Sequence, residues 1–173
     1  MSISLHITNN QPSISVILVS GGDGTGVYQP ASVEVLFPNG TSYCTLPDLP
    51  VYRYAHTQDG LTACGGDDGA ESVTRDNCVT LRDGQWTQSH TLLQNRIYHT
   101  SWALGDGRVV LMGGTYSPNT TEIISPAGSP NITEGFTLKY DTWYTTQHIH
   151  LKSTTLPVMV HSKILEICVA FAS

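Results

Sequence analysis

A Gly-Gly doublet closes a short apolar run three times in this chain, at Gly21-Gly22, Gly65-Gly66 and Gly113-Gly114, with steps of 44 and 48 residues. A second marker keeps the same step, since Gly40, Gly84 and Gly128 are each 44 residues apart. A third is Arg53-Tyr54-Ala55-His56-Thr57, which returns as Arg96-Ile97-Tyr98-His99-Thr100 after 43 residues. Three markers that agree on one period define a repeat protein, in which each unit buries its apolar face against its neighbours. Each unit reads as short β-rich runs broken by turn residues, with no helical periodicity long enough to compete. The second unit is expected to form strands near residues 54–58, 61–64, 78–82 and 85–88, turning at Asp59-Gly60 and Asp83-Gly84, a pair suited to positive φ.

The order Arg-x-x-His, apolar strand, Gly-Gly, third strand, Gly and Trp resembles the kelch repeat. The second unit carries all of it, through Gly84-Gln85-Trp86, and the third carries Arg96 to His99, Gly113-Gly114, Thr121-Glu122-Ile123-Ile124 and Gly128. The first keeps Gly21-Gly22, Ser32-Val33-Glu34-Val35 and Gly40 and lacks the Trp. Cys44-x-Leu-Pro-x-Leu-Pro, Cys64-Gly-Gly and Ser101-Trp102 resemble kelch-type proteins of invertebrates in particular. The resemblance covers residues 14–142 and implies an all-β fold of four-stranded antiparallel propeller blades. It divides the chain into a lead-in at 1–13, units at about 14–50, 51–93 and 94–142, and a tail at 143–173 without a repeat signature. Three units make an incomplete arc, with strand edges open to self-association, as expected of a fragment or truncated product of a longer propeller.

Composition narrows the partners. A net charge of −6 with only eight Lys and Arg offers no basic stripe for nucleic acid. No apolar run reaches the length of a membrane-spanning helix. The four cysteines, Cys44, Cys64, Cys78 and Cys168, lack the spacing of a zinc site, so neither metal nor cofactor is expected. Cys64 and Cys78 fall on adjacent antiparallel strands and are the favoured disulfide; two buried thiols, or a pairing through Cys44, are the alternatives. Asn39, Asn119 and Asn131 head glycosylation sequons, which with the cysteines lean toward an extracellular parent. Residues 1–12 show neither a basic nor an apolar signal region, so localisation is left open.

Asp106 to Gly114, preceded by Arg96-x-Tyr98-His99, is similar to the propeller of galactose oxidase and related copper-radical enzymes, yet the His, Tyr and Cys ligand constellation of that chemistry has no match here. His56 and His99 read as structural together with Arg53 and Arg96, because a catalytic site needs only one copy. Gly21-Gly22-Asp23-Gly24-Thr25-Gly26 fails the phosphate-loop patterns, lacking the following Lys-Ser/Thr. The acidic run from Asp67 to Glu71 lacks calcium-loop spacing, and the His148-Ile149-His150 pair stands alone in the tail. Trp86 is expected to fill the space between sheets. The resemblance thus implies a non-enzymatic scaffold that binds an unidentified protein, or a glycan, through the loops at 23–30, 66–74 and 115–120. Asp23, Tyr28, Asp67, Asp68, Glu71, Tyr116 and Asn119 are its candidate contacts. The rival readings are an oxidase fragment and a non-functional truncated product.

Overall fold

A computed structural model describes residues 2–6, 15–23, 31–37, 43–69, 74–126 and 131–143. They form twelve strands in three four-stranded antiparallel sheets. The first sheet runs β1 (Ser2–His6), β2 (Ser15–Ser20), β3 (Val33–Leu36), β4 (Tyr43–Leu46). The second runs β5 (Thr57–Asp59), β6 (Thr62–Cys64), β7 (Asn77–Arg82), β8 (Gln85–Thr91). The third runs β9 (Thr100–Ala103), β10 (Val109–Met112), β11 (Thr121–Ile124), β12 (Ile132–Glu134). In every sheet spatial order equals chain order, so each is a meander of the kind that makes a propeller blade. Among the described residues no strand pairs across from one sheet to another, and none of the three sheets is closed.

Strand positions follow from local chemistry. At Asp83-Gly84 both residues have positive φ, 48° and 77°, the geometry of a two-residue type I′ hairpin turn. The other expected turn sits one residue later than read from the sequence: Gly60 takes positive φ, Asp59 ends β5, and Leu61 belongs to the turn. The lead-in holds a strand: β1 pairs with β2 from Ser2↔Val19 to His6↔Ser15 and completes the first sheet.

Alternate residues of each sheet face its neighbour. Leu18, Val33, Val35 and Leu46 of the first sheet, with Leu49 of the segment that follows it, meet Ala63, Val79 and Leu81 of the second. On the opposite face of the second sheet, Cys64 and Cys78 pack with Leu92, Leu111 and Ile124 toward the third. Cys64 and Cys78 stand directly opposite in register and are disulfide-bonded, the pairing favoured from the sequence. Cys44 is disulfide-bonded as well, and its partner lies outside the described residues.

Trp86 lies half-buried against the core between the first two sheets and donates its Nε1–H to Pro47 O at 2.7 Å. It thereby ties the outer strand of one sheet to the chain leaving the previous one. Trp86→Ala is expected to cost about 2–3 kcal/mol, below the range for a wholly buried tryptophan. Urea unfolding measures it, and an unchanged midpoint would remove Trp86 from the inter-sheet packing.

Candidate functional site: the Gly-Gly rim

The segments that enter the second and third sheets make the same pair of connections. The N–H of Gly22 donates to Arg53 O at 3.0 Å, and the N–H of Gly66 donates to Arg96 O at 2.8 Å. The main chain of each arginine therefore grips the preceding sheet, while its side chain grips its own. Arg53 donates to Gly65 O at 2.8 Å, Asn77 O at 3.2 Å and Asn77 Oδ1 at 2.6 Å. Arg96 donates to Gly113 O at 2.7 Å, Thr120 O at 3.2 Å and Thr120 Oγ1 at 2.8 Å. Both arginines are completely buried.

This close backbone approach explains the first glycine of each doublet. A Cβ on Gly21 would lie 2.3 Å from Arg53 O, and one on Gly65 would lie 2.5 Å from Arg96 O. Both glycines also have positive φ. The third doublet repeats the arrangement without an arginine. Gly114 N–H donates to Thr142 O at 2.8 Å, and a Cβ on Gly113 would lie 2.2 Å from that same oxygen. Thr142 is anchored in turn by its N–H and Oγ1 on Pro118 O, at 2.7 and 3.1 Å. The chain thus reaches, at residue 142, the place from which Arg53 and Arg96 begin their units.

The two latches differ in charge. Arg96 Nε donates to Glu122 Oε1 at 2.7 Å, in an ion pair with both side chains at most 1 % exposed. Glu122 also accepts the N–H groups of Leu93 at 2.7 Å and Gln94 at 3.2 Å. Arg53 binds the amide of Asn77 instead of a carboxylate, and burial draws its guanidinium down to about 10, helped by the nearby charge of Arg75.

His56 and His99 are buried beside the latches. His56 Nε2 meets Ser20 Oγ at 2.9 Å; because that hydroxyl donates to Gln58 Oε1, it accepts the imidazole N–H. His99 Nε2 meets Thr57 Oγ1 at 2.9 Å. Burial, reinforced by the arginine at the head of its own motif, pushes His56 down to about 4 and His99 down to about 3. Both are neutral joints, each bridging to the preceding sheet. Among the described residues no group of three or more His, Cys, Asp or Glu is placed to hold a metal ion. No helix of the described residues is long and apolar enough to cross a membrane.

Above the latches the candidate contact residues separate by exposure. Asp23, Asn119 and Tyr116 are exposed, Tyr116 at 63 %. Asp68 pairs with Arg75 at 2.6 Å. Asp67, expected as a contact, is buried: its main chain exchanges two hydrogen bonds with Tyr54, and its Oδ1 accepts Gly69 N–H at 2.7 Å. It shapes the loop and has little surface to offer a partner. Tyr28 and Glu71 lie outside the described residues, as does Asn39 of the sequons; Asn119 and Asn131 are exposed. The 115–120 loop is held by Ser117 N–H on Gly114 O, Thr120 N–H on Ser117 O and Leu138 N–H on Asn119 O.

A row of tyrosines spans this rim. Tyr52 and Tyr54 have ring centroids 6.1 Å apart, and Tyr54 meets Tyr98 edge-on at 6.3 Å. Tyr98 takes φ of 57°, an uncommon setting for a bulky side chain, and its N–H donates to Ala55 O at 3.0 Å. Burial, the carboxylates of Asp67 and Asp23 and the neighbouring Tyr52 and Tyr116 raise the Tyr54 phenol.

Sequence reasoning missed Glu122, Asn77 and this tyrosine row. Glu122 had one signal, a lone acid in an apolar strand one residue from buried Thr121. The tyrosines had one too, the alternation in Tyr52-Arg53-Tyr54, which sends both rings to the same side of an extended segment. No protein-family model and no curated protein matches the chain.

Proposed function

We propose that this chain is a segment of a kelch-type β-propeller that carries out no reaction of its own and binds a partner protein through the loops that follow the Gly-Gly doublets. The observation that supports this reading most is the division of labour along each unit. Arg53, His56, Arg96 and His99 are consumed in joining one sheet to the next, whereas Asp23, Tyr116 and Asn119 project from the loops directly above. Loops held on such a scaffold are where recognition residues can vary without cost to the framework. An extracellular, glycosylated parent fits the exposed Asn119 and Asn131 and the disulfide.

The test is loop exchange. Replacing residues 24–30 and 68–73 by Gly-Ser linkers of equal length, and Thr115, Tyr116 and Asn119 by Gly or Ser, leaves Gly66, Asp67, Ser117, Pro118 and the latches in place. Partner recovery by pull-down, followed by mass spectrometry, is expected to be lost while the cooperative urea transition is kept. Unchanged recovery of the same partner by the exchanged protein would refute the reading.

A further inference from the structure

We propose that the tyrosine rim of Tyr52, Tyr54, Tyr98 and Tyr116, edged by Asp23, docks an arginine- or lysine-bearing segment of the partner protein. This rests on the loop-binding reading above and names the chemistry of what is bound. Tyr52, Tyr54 and Tyr98 sit in one row across the junction of the second and third sheets, and Tyr116, 63 % exposed, is near enough to act electrostatically on Tyr54. Beside Tyr116, a concavity of about 330 Å³ opens between Thr74, Leu93, Gln94 and Asn95, room enough for one long side chain. Leu93, 48 % exposed, gives that side chain's aliphatic stem an apolar wall.

Charge selects the occupant. Every cation among the described residues is committed or distant: Arg53 and Arg96 are buried in the latches, Arg75 is paired with Asp68, and Arg108 is paired with Asp106 at 2.7 Å. Arg82 ends β7 at a hairpin on the opposite rim, and Lys139 lies over the Tyr140 ring, 5.2 Å from its centroid. Asp23 is exposed on the rim and the chain carries a net charge of −6. A surface of aromatic faces under a negative field attracts guanidinium and ammonium groups by cation–π contact and Coulomb attraction together. The Lys139–Tyr140 contact is the same interaction made within the chain.

The probe is a fluorescein-labelled nonapeptide of alternating arginine and serine, with glutamate replacing arginine in its control, titrated with the 173-residue chain. Anisotropy is expected to show the arginine peptide binding and the glutamate peptide not. Tyr54→Ala and Tyr116→Ala should weaken binding by about tenfold or more, and Tyr54→Phe and Tyr116→Phe by less than about threefold, since the ring face is retained. Asp23→Asn should flatten the salt dependence. Equal binding of the two peptides, or affinity unmoved by both alanine variants, would overturn the proposal. If loop exchange abolishes partner recovery while the arginine peptide fails to bind, this inference falls and the loop-binding reading stands. If loop exchange changes nothing, both fall.

Discussion

Arg96→Leu is expected to destabilise the protein by about 3–5 kcal/mol, the usual cost of stranding one half of a buried ion pair. The substitution leaves the Glu122 carboxylate, 1 % exposed, with only the N–H groups of Leu93 and Gln94 for compensation. It also strips Gly113 O of its arginine donor, while Thr120 O keeps the N–H of Gly113. Arg53→Leu should cost less, about 2 kcal/mol, because it strands the Gly65 carbonyl and the Asn77 side-chain amide but no charge. Adding Glu122→Leu to Arg96→Leu should recover part of the loss, since an apolar pair is often no worse than a buried ionic one; the orphaned Gly113 carbonyl keeps the recovery incomplete. Urea titrations of the two singles and the double measure all of this, with Arg96→Lys as the milder variant should leucine prevent folding. A loss below about 1 kcal/mol for Arg96→Leu would mean that the ion pair is not what holds the third sheet.

Acid should unfold the protein well above the pH at which ordinary carboxylates titrate. His56 and His99 are pushed down to about 4 and about 3 in the fold, against an ordinary value of 6.5. The unfolded chain therefore binds protons first as pH falls. Stability is complete above about pH 6.5, declines through the window down to about pH 4 and 3, and is lost beyond it. At pH 5 each histidine accounts for about 2 kcal/mol on the linkage relation, about 4 kcal/mol together. Asp59 works in the opposite direction, because burial raises its carboxyl and the fold gains from its protonation. Asp106, lowered mainly by the main-chain N–H of Arg108, is too exposed to shift the balance. Urea midpoints at pH 7, 6 and 5 should fall steadily, and a His56→Gln/His99→Gln double variant should flatten that slope. A midpoint that stays level from pH 7 to 5 in the parent protein would show that the imidazoles are not held neutral.

Much of the framework was legible because glycine spacing reports backbone geometry directly. The doublets mark where one main chain passes within contact of another, and the first glycine of each leaves no room for a Cβ. Strand register followed: β7 and β8 begin within one residue of their expected starts. What escaped was whatever depends on a neighbour. Ser2–His6 carries no marker and became a strand only because β2 offered an unpaired edge. Glu122 looks like an exposed strand residue until Arg96 is brought under it from 26 positions away. Asp67 looked available for the same reason, its capture by Tyr54 and Gly69 being invisible along the chain. The tyrosine row is assembled from two units and appears in neither alone.

What passes from one sheet to the next at the Gly-Gly doublet is a peptide N–H meeting a peptide carbonyl, and the carbonyl has no side-chain identity. Arg53 supplies it once, Arg96 once and Thr142 once. The glycine doublet that donates is under strict steric selection, while the joint itself asks nothing of the side chain on the residue that offers the carbonyl. Sequence memory of the period is therefore asymmetric: the donor half of each joint, the glycine doublet, stays readable, and the identity of the carbonyl-bearing half can be erased by substitution. Units descended from one ancestor can in this way go on docking to one another after their own arginine has gone.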